Sequence, residues 1–570
     1  MRHSGNLVIT LHSHLPYVIN HGDWPHGTDW LCEAIAESYI PLLNVFNKLM
    51  DDGIRPGVTI NLSPILCEQL AHPDLPDLFE RYCSSRIEAA QADFERFDAD
   101  DAEAHFAPIS KYWELWYGQR LRDFRKTYKR NLIAAFRDLQ ELDAIEIITC
   151  GATHAYFPLV AEDASIRLQL KCAKAAHKRH FGVEPRGIWL PECAYRPGYE
   201  WRTYLPVAPY DAPRYRPGVE QLLAAEGIEF FFADEHMHQG VSPLGVRRGN
   251  GEFAPIWARD FDHVRWPFRR NSLSAFLVAS ASDPNGPAVG VMARHRDIAM
   301  QVWSGEQGYP GDPDYLDFHK KYSRSNLRYW RVTDNKADMQ YKQPYNPEWA
   351  QGKIDRQSHH FIKAIEGTLA HYHAEFGREA NLCITFDTEL FGHWWFEGPA
   401  FIEAVLRGIH ASPYVSTATA SQQLKHLKVR ERVALPEGSW GDGGHHDVWI
   451  NDDTSWMWSL MYRSEFAFKE FIQAHPVKQM NPTHKRIARQ ALRELMLMQA
   501  SDWEFLVKTG GARDYAERRF TCHNSDMNHL LNIAVEYARE GVLHQDAEEF
   551  VKSCEERNSV FADLDLDWWS

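Results

Sequence analysis

Short apolar runs rich in β-branched residues recur along the chain and alternate with longer stretches of helical periodicity. Continuous apolar runs of this length are typical of parallel strands that are buried on both faces. Strands that alternate with helices predict a (β/α) barrel or a doubly wound sheet. The predicted strands are Leu7–Leu11, Val58–Leu62, Ile145–Cys150, Gly187–Leu190, Phe230–Phe232, Val289–Met292 and Leu382–Phe386.

Polar or charged residues follow each of these strands. In a barrel, the carboxyl ends of all strands meet at one rim, where such enzymes keep their chemistry. We therefore expect the side chains at the strand ends to share one site. They are His12, His14, Asn61, Ser63, His154, Glu192, Asp234, His236, Arg294, Asp387 and Glu389.

Two segments depart from the alternation of predicted strands and helices. A stretch rich in Pro, Arg and Tyr around Leu205–Pro217 suggests an insertion that caps the site, and from about Glu437 the pattern becomes helical. The predicted strand Phe230–Phe232 falls inside the insertion. We predict a catalytic barrel at 1–195 and 252–436, an inserted small domain at 196–251 and a C-terminal helical domain at 437–570.

Charge, cysteine usage and hydropathy narrow the classes of function. The formal charge of -16 opposes binding to nucleic acid or to an anionic membrane, because both need basic patches. Nine cysteines are dispersed singly, which is typical of free thiols in a reducing compartment. The sequence shows neither a signal peptide nor an apolar run long enough to span a membrane. We expect a cytoplasmic protein, either a monomer or a small homo-oligomer.

The chain contains 20 tryptophans, and many of them are expected to fill the core. Several, however, lie beside Gly, Asp and His in loop-like contexts. Flat aromatic faces in such places can stack against the apolar faces of sugar rings. These tryptophans are Trp24, Trp30, Trp303, Trp394, Trp395, Trp440 and Trp449.

Two segments offer carboxylates suited to the cleavage of a glycosidic bond. After one strand, Pro191 disfavours helical continuation, so that the next side chain, Glu192, is expected at the rim. Asp387 directly follows an apolar strand and lies among aromatic residues, which shift carboxyl pKa values. A facing pair can act as nucleophile and acid/base of a retaining mechanism. For Glu192 alone, an ordinary loop glutamate is the alternative interpretation.

The histidines support a different interpretation. His12, His14, His154, His236 and Asp387 are similar to the ligand order of barrel metallohydrolases, because imidazoles with one carboxylate suit Zn²⁺ or related metals. The alternative is that these imidazoles hydrogen-bond substrate or backbone. A phosphate loop of the form GxxxxGK[ST] and a serine nucleophile elbow are both absent from the sequence.

Several motifs resemble glycoside hydrolase family 57, and within it the α-1,4-glucan branching enzymes. Further similarity lies at 33–43, 301–311 and 501–503, so the resemblance spans essentially the whole chain. The five main segments are Leu11–Tyr17 (LHSHLPY), Gly151–Tyr156 (GATHAY), Gly187–Tyr195 (GIWLPECAY), Phe386–Trp395 (FDTELFGHWW) and Glu437–Asp442 (EGSWGD).

The resemblance implies a distorted (β/α)7 barrel, an inserted small domain and a C-terminal helical domain that closes the cleft. It implies Glu192 as nucleophile and Asp387 as acid/base, with α-glucan as substrate and no metal or other cofactor. It also implies glucan binding by His12, His14, His154, Trp30, Trp303, Trp440 and Trp449. From the same motifs and strand ends we add Asp234, His236, Arg294, His393, Trp394, Asp442 and Asp502 as substrate-binding candidates.

One departure from the family concerns a loop in the inserted region. Branching members carry a tyrosine there, which is implied to shield the glucosyl-enzyme from water, whereas the corresponding stretch Ala233–Gly245 contains none. The balance between branching and hydrolysis is therefore open. The alternatives are an α-amylase or 4-α-glucanotransferase of the same family, a barrel metallohydrolase, and a non-catalytic glucan-binding protein.

Overall fold

The computed structural model describes residues 3–247, 252–255, 271–336 and 338–569. The strands in these ranges are numbered here in chain order. They are β1 (Gly5–Ser13), β2 (Val58–Leu62), β3 (Ile145–Cys150), β4 (Gly187–Trp189), β5 (Tyr199–Trp201), β6 (Arg214–Arg216), β7 (Phe230–Ala233), β8 (Ser242–Arg247), β9 (Phe253–Pro255), β10 (Ala275–Ala279), β11 (Ala288–Ala293), β12 (Ala380–Asp387), β13 (Val415–Thr417) and β14 (Glu431–Ala434).

Seven parallel strands form a barrel in the order β12-β1-β2-β3-β4-β7-β11. The ring is closed between β11 and β12 by a single parallel bridge from Arg294 to Cys383, next to a 2.8 Å hydrogen bond from the His295 amide to the Cys383 carbonyl. The seven strands are those expected from the apolar runs. The prediction of a distorted (β/α)7 barrel is confirmed. The pairing between neighbouring barrel strands is shortest at this closure, between β11 and β12.

The strand β7 requires a correction of the predicted domain boundaries. It lies inside 196–251, yet it pairs in parallel with β4 on one side and with β11 on the other. All four of its side chains are buried, because both faces of this apolar run are covered. Residues 230–233 therefore belong to the barrel, and the prediction of one continuous insertion over 196–251 is wrong at this strand. The predicted end of the insertion at residue 251 lies outside the described residues.

Helices surround the barrel and form the C-terminal region. The α-helices are Thr28–Ala34, Ile40–Asp51, Pro64–Leu70, Leu75–Asp98, Ala107–Arg122, Leu132–Glu141, Asp163–Phe181, Val219–Ala225, Glu235–Gln239, Arg296–Trp303, Pro347–Phe376, Gly398–Ala411, Ala420–Leu427, Ser455–Ala474, Pro482–Met498, Asp502–Thr509, Arg513–Glu540 and Gln545–Arg557. Two π-turns, Ile35–Tyr39 and Asp123–Thr127, extend helices, and short 3₁₀ turns include Pro191–Cys193, Thr388–Leu390 and Asp442–Gly444. Within the described ranges, none of these helices combines the length and the apolar character that a membrane crossing requires.

The C-terminal helices are joined to the barrel rim next to the end of β3. Residues Ala155 and Ala500 form an isolated antiparallel bridge, and the Ser501 amide donates a 3.0 Å hydrogen bond to the His154 carbonyl. The connection between helices Pro482–Met498 and Asp502–Thr509 is therefore fixed at the carboxyl ends of the strands. This position brings Ser501 and Asp502 to the rim.

The π-turn Ile35–Tyr39 lies against the segment that follows β12. The Tyr39 hydroxyl donates a 2.5 Å hydrogen bond to Glu389, and the Ser38 hydroxyl accepts one of 3.1 Å from the His393 amide. Between these contacts, Gly392 adopts φ +113° and approaches the Glu37 carbonyl closely. Such π-turns occur frequently at functional sites.

Replacing Gly392 by Ala is expected to lower the free energy of unfolding by more than about 2 kcal/mol. An added Cβ would lie 1.7 Å from the Glu37 carbonyl oxygen, and the positive φ is strained for any L-residue. The midpoint of urea unfolding measures the effect. The control is Gly352→Ala on an exposed helical face, where a Cβ meets nothing within 4 Å and about 0.5–1 kcal/mol of stabilisation is expected. Equal midpoints for the two variants would contradict the prediction.

Candidate active site

A cleft of about 530 Å³ opens at the carboxyl ends of the barrel strands. Residues from the barrel, from the 437–452 loop and from the helix Asp502–Thr509 line it. Those with polar or aromatic side chains are His12, His14, Trp30, His154, Glu192, Arg294, Trp303, Asp387, Glu389, His393, Trp394, Trp440, Asp442, Trp449, Asp502 and Phe505. The structure thus brings Glu192 and Asp387 into one cavity with most of the predicted binding residues.

Glu192 lies on a tightly constrained turn directly after β4. Its φ is +61° and that of Cys193 is +50°, both in the left-handed region that costs free energy for non-glycine residues. The turn is held from the 437–452 loop, since the Trp440 amide donates a 3.0 Å hydrogen bond to the Glu192 carbonyl. Two further backbone hydrogen bonds, of 2.9 and 3.1 Å, join Tyr195 and Gly438. The strained backbone is therefore fixed by its neighbours, and it directs the Glu192 side chain into the cleft.

The Glu192 carboxyl group accepts two hydrogen bonds. The indole Nε1 of Trp440 donates to Oε2 at 2.8 Å, and the Ser501 hydroxyl donates to Oε1 at 3.0 Å. Burial raises the pKa of Glu192 to about 7, and both hydrogen bonds oppose this rise because they favour the ionised form. Trp440 and Ser501 thus keep a buried carboxyl group available as a carboxylate.

Replacing Trp440 by Phe is expected to move the acid limb of the kcat/KM profile to higher pH. The change keeps an aromatic ring but removes the N–H donor that lowers the pKa of Glu192, so the carboxylate forms only at higher pH. Loss of a hydrogen bond to a charged group should lower kcat/KM at pH 7 by about tenfold or more. Trp349→Phe, at an exposed position outside the cleft, is the control. An acid limb at the same pH in both variants would contradict the prediction.

Asp387 is the last residue of β12 and pairs in register with His12 of β1. Burial raises the pKa of Asp387 well above its usual range, the negative charges of Glu389 and Glu192 raise it further, and Arg294 opposes them. Two interacting carboxyl groups titrate as a pair, and their environments separate the two ionisations. The raised pKa lets Asp387 keep its proton to higher pH than an exposed aspartate, as the acid of a retaining pair requires.

Three histidines stack at the floor of the cleft. The ring centroids of His14 and His154 are 3.9 Å apart, those of His12 and His154 are 5.0 Å apart, and His12 also stacks on Trp189 at 4.9 Å. Burial lowers the pKa of His12 and of His154 well below the usual value, and the neighbouring imidazoles lower it further. The two rings are therefore neutral, and each has one donor and one acceptor nitrogen.

Hydrogen bonds within the protein occupy the ring nitrogens of these histidines. His14, His154 and Asp502 each bring one possible ligand atom to within 4.8 Å of the others, the spacing that a metal would need. The partners of the rings are Asn61 (2.6 Å) and His154 (3.1 Å) for His12, Ser63 (2.9 Å) and Asp502 (3.0 Å) for His14, and Ser501 (2.8 Å) for His154. A metal ion or a sugar hydroxyl would have to displace one of these contacts to reach a ring nitrogen.

Tryptophans form the walls of the cleft. Trp303 and Trp440 meet edge to face with ring centroids 5.9 Å apart, and the Trp303 indole donates a 3.0 Å hydrogen bond to the Thr385 carbonyl. Trp394 is 40% exposed at the mouth. Trp449 is 1% exposed and packs on Tyr156 at 4.5 Å, so it borders the cavity as a buried wall. A neutral chain of sugar rings can stack on such surfaces.

The family model described as glycosyl hydrolase family 57 matches residues 8–436. The chain belongs to glycosyl hydrolase family 57. A second model, described as the C-terminal region of 1,4-alpha-glucan branching enzyme, matches residues 461–569 of this family 57 protein. The resemblance drawn from the five sequence motifs is confirmed.

Relatives of this family 57 protein include enzymes with solved structures. A 1,4-alpha-glucan branching enzyme of Thermococcus kodakarensis is 34% identical over 98% of this chain and 77% of its own length. A branching enzyme structure from Pyrococcus horikoshii matches with a TM-score of 0.86 at 34% identity, covering 99% of this chain and 97% of that one. An alpha-amylase structure from Thermotoga maritima matches with a TM-score of 0.78 at 26% identity, covering 100% and 99%.

Two residues predicted to bind substrate lie outside the cleft of this family 57 protein. Asp234 forms a 2.5 Å ion pair with Arg294 and caps the helix Glu235–Gln239. The His236 ring packs against the backbone of Gly444, where an added Cβ would come within 2.5 Å of it. Direct substrate contact by Asp234 and His236 stays a prediction, and the structure places neither residue on the cleft wall. Asp234 orients a guanidinium that does line the cleft, and His236 supports the 437–452 loop.

The stretch Ala233–Gly245, which lacks a tyrosine, also lies away from the cleft. Its residues form the end of β7, the helix Glu235–Gln239 and the start of β8, and none of them lines the cavity. The strand β8 pairs with β14 and continues the sheet. Among the described residues, the cleft wall is therefore formed by other segments. The following residues 248–251 lie outside the described residues.

Three residues of the site received no role from the sequence. Ser501 joins Glu192 and His154, Glu389 lines the cleft beside Asp387, and Tyr39 binds Glu389 from the π-turn. Glu389 carried a signal, since it lies two residues after Asp387 at a strand end. Ser501 lies within the motif Ser501–Trp503. Tyr39 carried none, because its spacing on an apolar helical face predicts only core packing.

Proposed function

We propose that this chain is a 1,4-α-glucan branching enzyme that works by a retaining double displacement. The observation that carries the proposal is the placement of Glu192 and Asp387 in one tryptophan-walled cleft, where Glu192 accepts two hydrogen bonds and the pKa of Asp387 is raised. The 34% identity to a branching enzyme over nearly the whole chain supports the choice of reaction. The matched C-terminal model supports it as well.

In the first displacement, the Glu192 carboxylate attacks the anomeric carbon of a glucosyl unit in an α-1,4-glucan. Asp387 gives its proton to the glycosidic oxygen, the carbon–oxygen bond breaks and the shortened chain leaves. The glucosyl group is then bound to Glu192 as an ester of inverted configuration. Trp440 and Ser501 hold the carboxylate in position for this attack.

In the second displacement, Asp387 acts as a base. It takes the proton from the C6 hydroxyl of an acceptor chain, whose oxygen attacks the anomeric carbon and breaks the ester bond to Glu192. The product is an α-1,6 branch, and two inversions return the original configuration. Water in place of the acceptor hydroxyl would give hydrolysis. His12 and His154 line the cleft in which the donor chain would bind.

Incubation of the purified protein with amylose tests the proposal. Iodine staining, reducing ends and side chains released by a debranching enzyme are followed together. Branching predicts falling stain, few new reducing ends and many released side chains. Falling stain with rising reducing ends and no side chains would replace branching by an amylase reaction, which the structural match to an alpha-amylase makes the second candidate.

We further propose that the enzyme acts in the cytoplasm and needs no metal. All nine cysteines are free and eight are buried, which suits a reducing compartment. The ring nitrogens of His12, His14 and His154 are engaged within the protein, which supports a metal-free site. Full activity after dialysis against a chelator is expected. Loss of activity that Zn²⁺ restores would instead favour a metallohydrolase.

A further inference from the structure

A second cavity of about 530 Å³ lies next to the cleft. It is lined by residues of the 437–452 loop together with Tyr204, Leu205 and Ser455. The same loop lines both cavities. Residues 440–442 and 448–449 border the cleft, whereas 437–438, 445–447 and 450–452 border the second cavity, which we call the Tyr204 groove. The proposed reaction uses none of the residues of this groove.

The chemistry of the groove suits a neutral polyhydroxylated chain. Tyr204 is 50% exposed and offers an aromatic face, while Glu437, Asp447, Asn451 and Asp452 surround it with hydrogen-bonding groups. Sugars combine apolar ring faces with hydroxyls that both donate and accept. Neither lysine nor arginine is present among the lining residues, and the three carboxylates there disfavour a phosphate or another anion.

A cation is a poorer match for the groove. The Glu437 carboxylate already accepts a 2.9 Å hydrogen bond from His446, and the Tyr204 hydroxyl lies 3.4 Å from the same oxygen. In the part of the chain that the structure describes, none of the three groups with metal-ligand spacing includes a residue of the groove. The carboxylates of the groove therefore do not converge on one point, as the ligands of a metal ion would.

Direct contacts couple the groove to the cleft. The Tyr156 hydroxyl shares a 2.8 Å hydrogen bond with Nδ1 of His446 in the groove, and the Tyr156 ring packs at 4.5 Å on Trp449 of the cleft wall. Gly438 of the groove shares two backbone hydrogen bonds with Tyr195, just after the turn that carries Glu192. A glucan chain bound in the groove would therefore contact the same loop that carries Trp440 of the cleft wall.

We propose that the Tyr204 groove is a second α-glucan subsite, which holds the acceptor chain beside the cleft. This inference rests on the proposed function. Holding the acceptor raises its effective concentration at the glucosyl-enzyme, and acceptor transfer then competes better against water. The groove sets the ratio of α-1,6 linkages formed to reducing ends released, while cleavage of the donor depends on the cleft.

Replacing Tyr204 by Ala tests this role. The ratio of new α-1,6 linkages to reducing ends on amylose is expected to fall about three- to tenfold, because one aromatic stacking surface is lost. Cleavage of a short chromogenic maltooligosaccharide should stay within about twofold of the wild type, because Tyr204 lies outside the cleft. Tyr204→Phe keeps the ring and should keep the ratio. Tyr341→Ala removes another exposed tyrosine, outside both cavities, and is the control.

Binding to an inactive enzyme separates this inference from the proposed function. Calorimetric titration of the Glu192→Gln variant with maltoheptaose should show two classes of site, and adding Tyr204→Ala should remove one of them. Two classes in a protein that forms no α-1,6 linkages would uphold the glucan subsite and overturn both branching and the acceptor role. One class of site that Tyr204→Ala leaves unchanged would overturn the groove as a glucan subsite. In a protein that does form α-1,6 linkages, equal transfer ratios for Tyr204→Ala and Tyr341→Ala would overturn its acceptor role.

Discussion

Replacing Glu192 by Ala is expected to lower kcat on amylose by at least about 1,000-fold, because no other group can form the covalent glucosyl intermediate. The fold should be unchanged, since Glu192 makes only two side-chain hydrogen bonds and lies at a rim rather than in the core. Initial rates of iodine-stain loss measure the effect. Glu200→Gln, at an exposed glutamate eight residues later, is the control. A variant at position 192 with wild-type rates would remove Glu192 from the mechanism.

Reaction with azide distinguishes the loss of the nucleophile in the Glu192→Ala variant from a folding defect. The anion can occupy the space left by the carboxylate and attack an activated α-glucosyl donor from the same face. One displacement in place of two inverts the configuration, so the product expected is a β-glucosyl azide. Nuclear magnetic resonance of the anomeric proton identifies it. An α-glucosyl azide from this variant would place the nucleophile elsewhere.

Replacing Asp387 by Ala is expected to lower kcat on amylose by about 100- to 10,000-fold, because the leaving oxygen loses its proton donor. Activated donors with good leaving groups need no protonation, so their first displacement should stay fast and the glucosyl-enzyme should accumulate. A burst of leaving group followed by slow turnover is the measurement. Azide then attacks the intermediate from the opposite face and should yield an α-glucosyl azide. Equal losses on amylose and on activated donors would contradict the acid/base role.

The matched control for Asp387 is its neighbour Glu389. Glu389 lines the same cleft, and burial raises its pKa to about 7, yet its carboxylate is bound to Tyr39. Glu389→Gln removes a negative charge that raises the pKa of Asp387, so the basic limb of the kcat/KM profile should move to lower pH. It should not produce a burst with activated donors. A burst in this variant would transfer the proton-donor role to Glu389.

The barrel and the rim were largely predictable from the sequence, because buried parallel strands leave continuous apolar runs. The strands around Ile147 and Ile384 show this directly, since each run ends at a residue that the structure places on the rim. The same pattern gave β7 correctly. The assignment of β7 to an insertion was wrong, because the Pro- and Tyr-rich composition around Leu205–Pro217 does not extend to this strand.

The contacts of individual side chains were harder to predict. Asp234 and His236 follow a strand as predicted, but Asp234 is paired with Arg294, a partner 60 residues away that periodicity does not reveal. Tyr39 is the last residue of a π-turn and binds Glu389 from there, and no sequence signal marked that turn. Strand ends thus predict which residues meet at a rim. Tertiary pairing decides which of them face the cavity.

The pairing of β1 with β12 has a consequence for synthesis of the chain on the ribosome. The first strand is complete at Ser13, whereas its partner along one edge, β12, begins at Ala380. At a translation rate of about 5–20 residues per second, this edge of β1 stays unpaired for roughly 20 to 70 s before β12 is synthesised. An unpaired apolar edge is a template for association with other chains. This edge of β1 is therefore open to association with other chains until β12 has been translated.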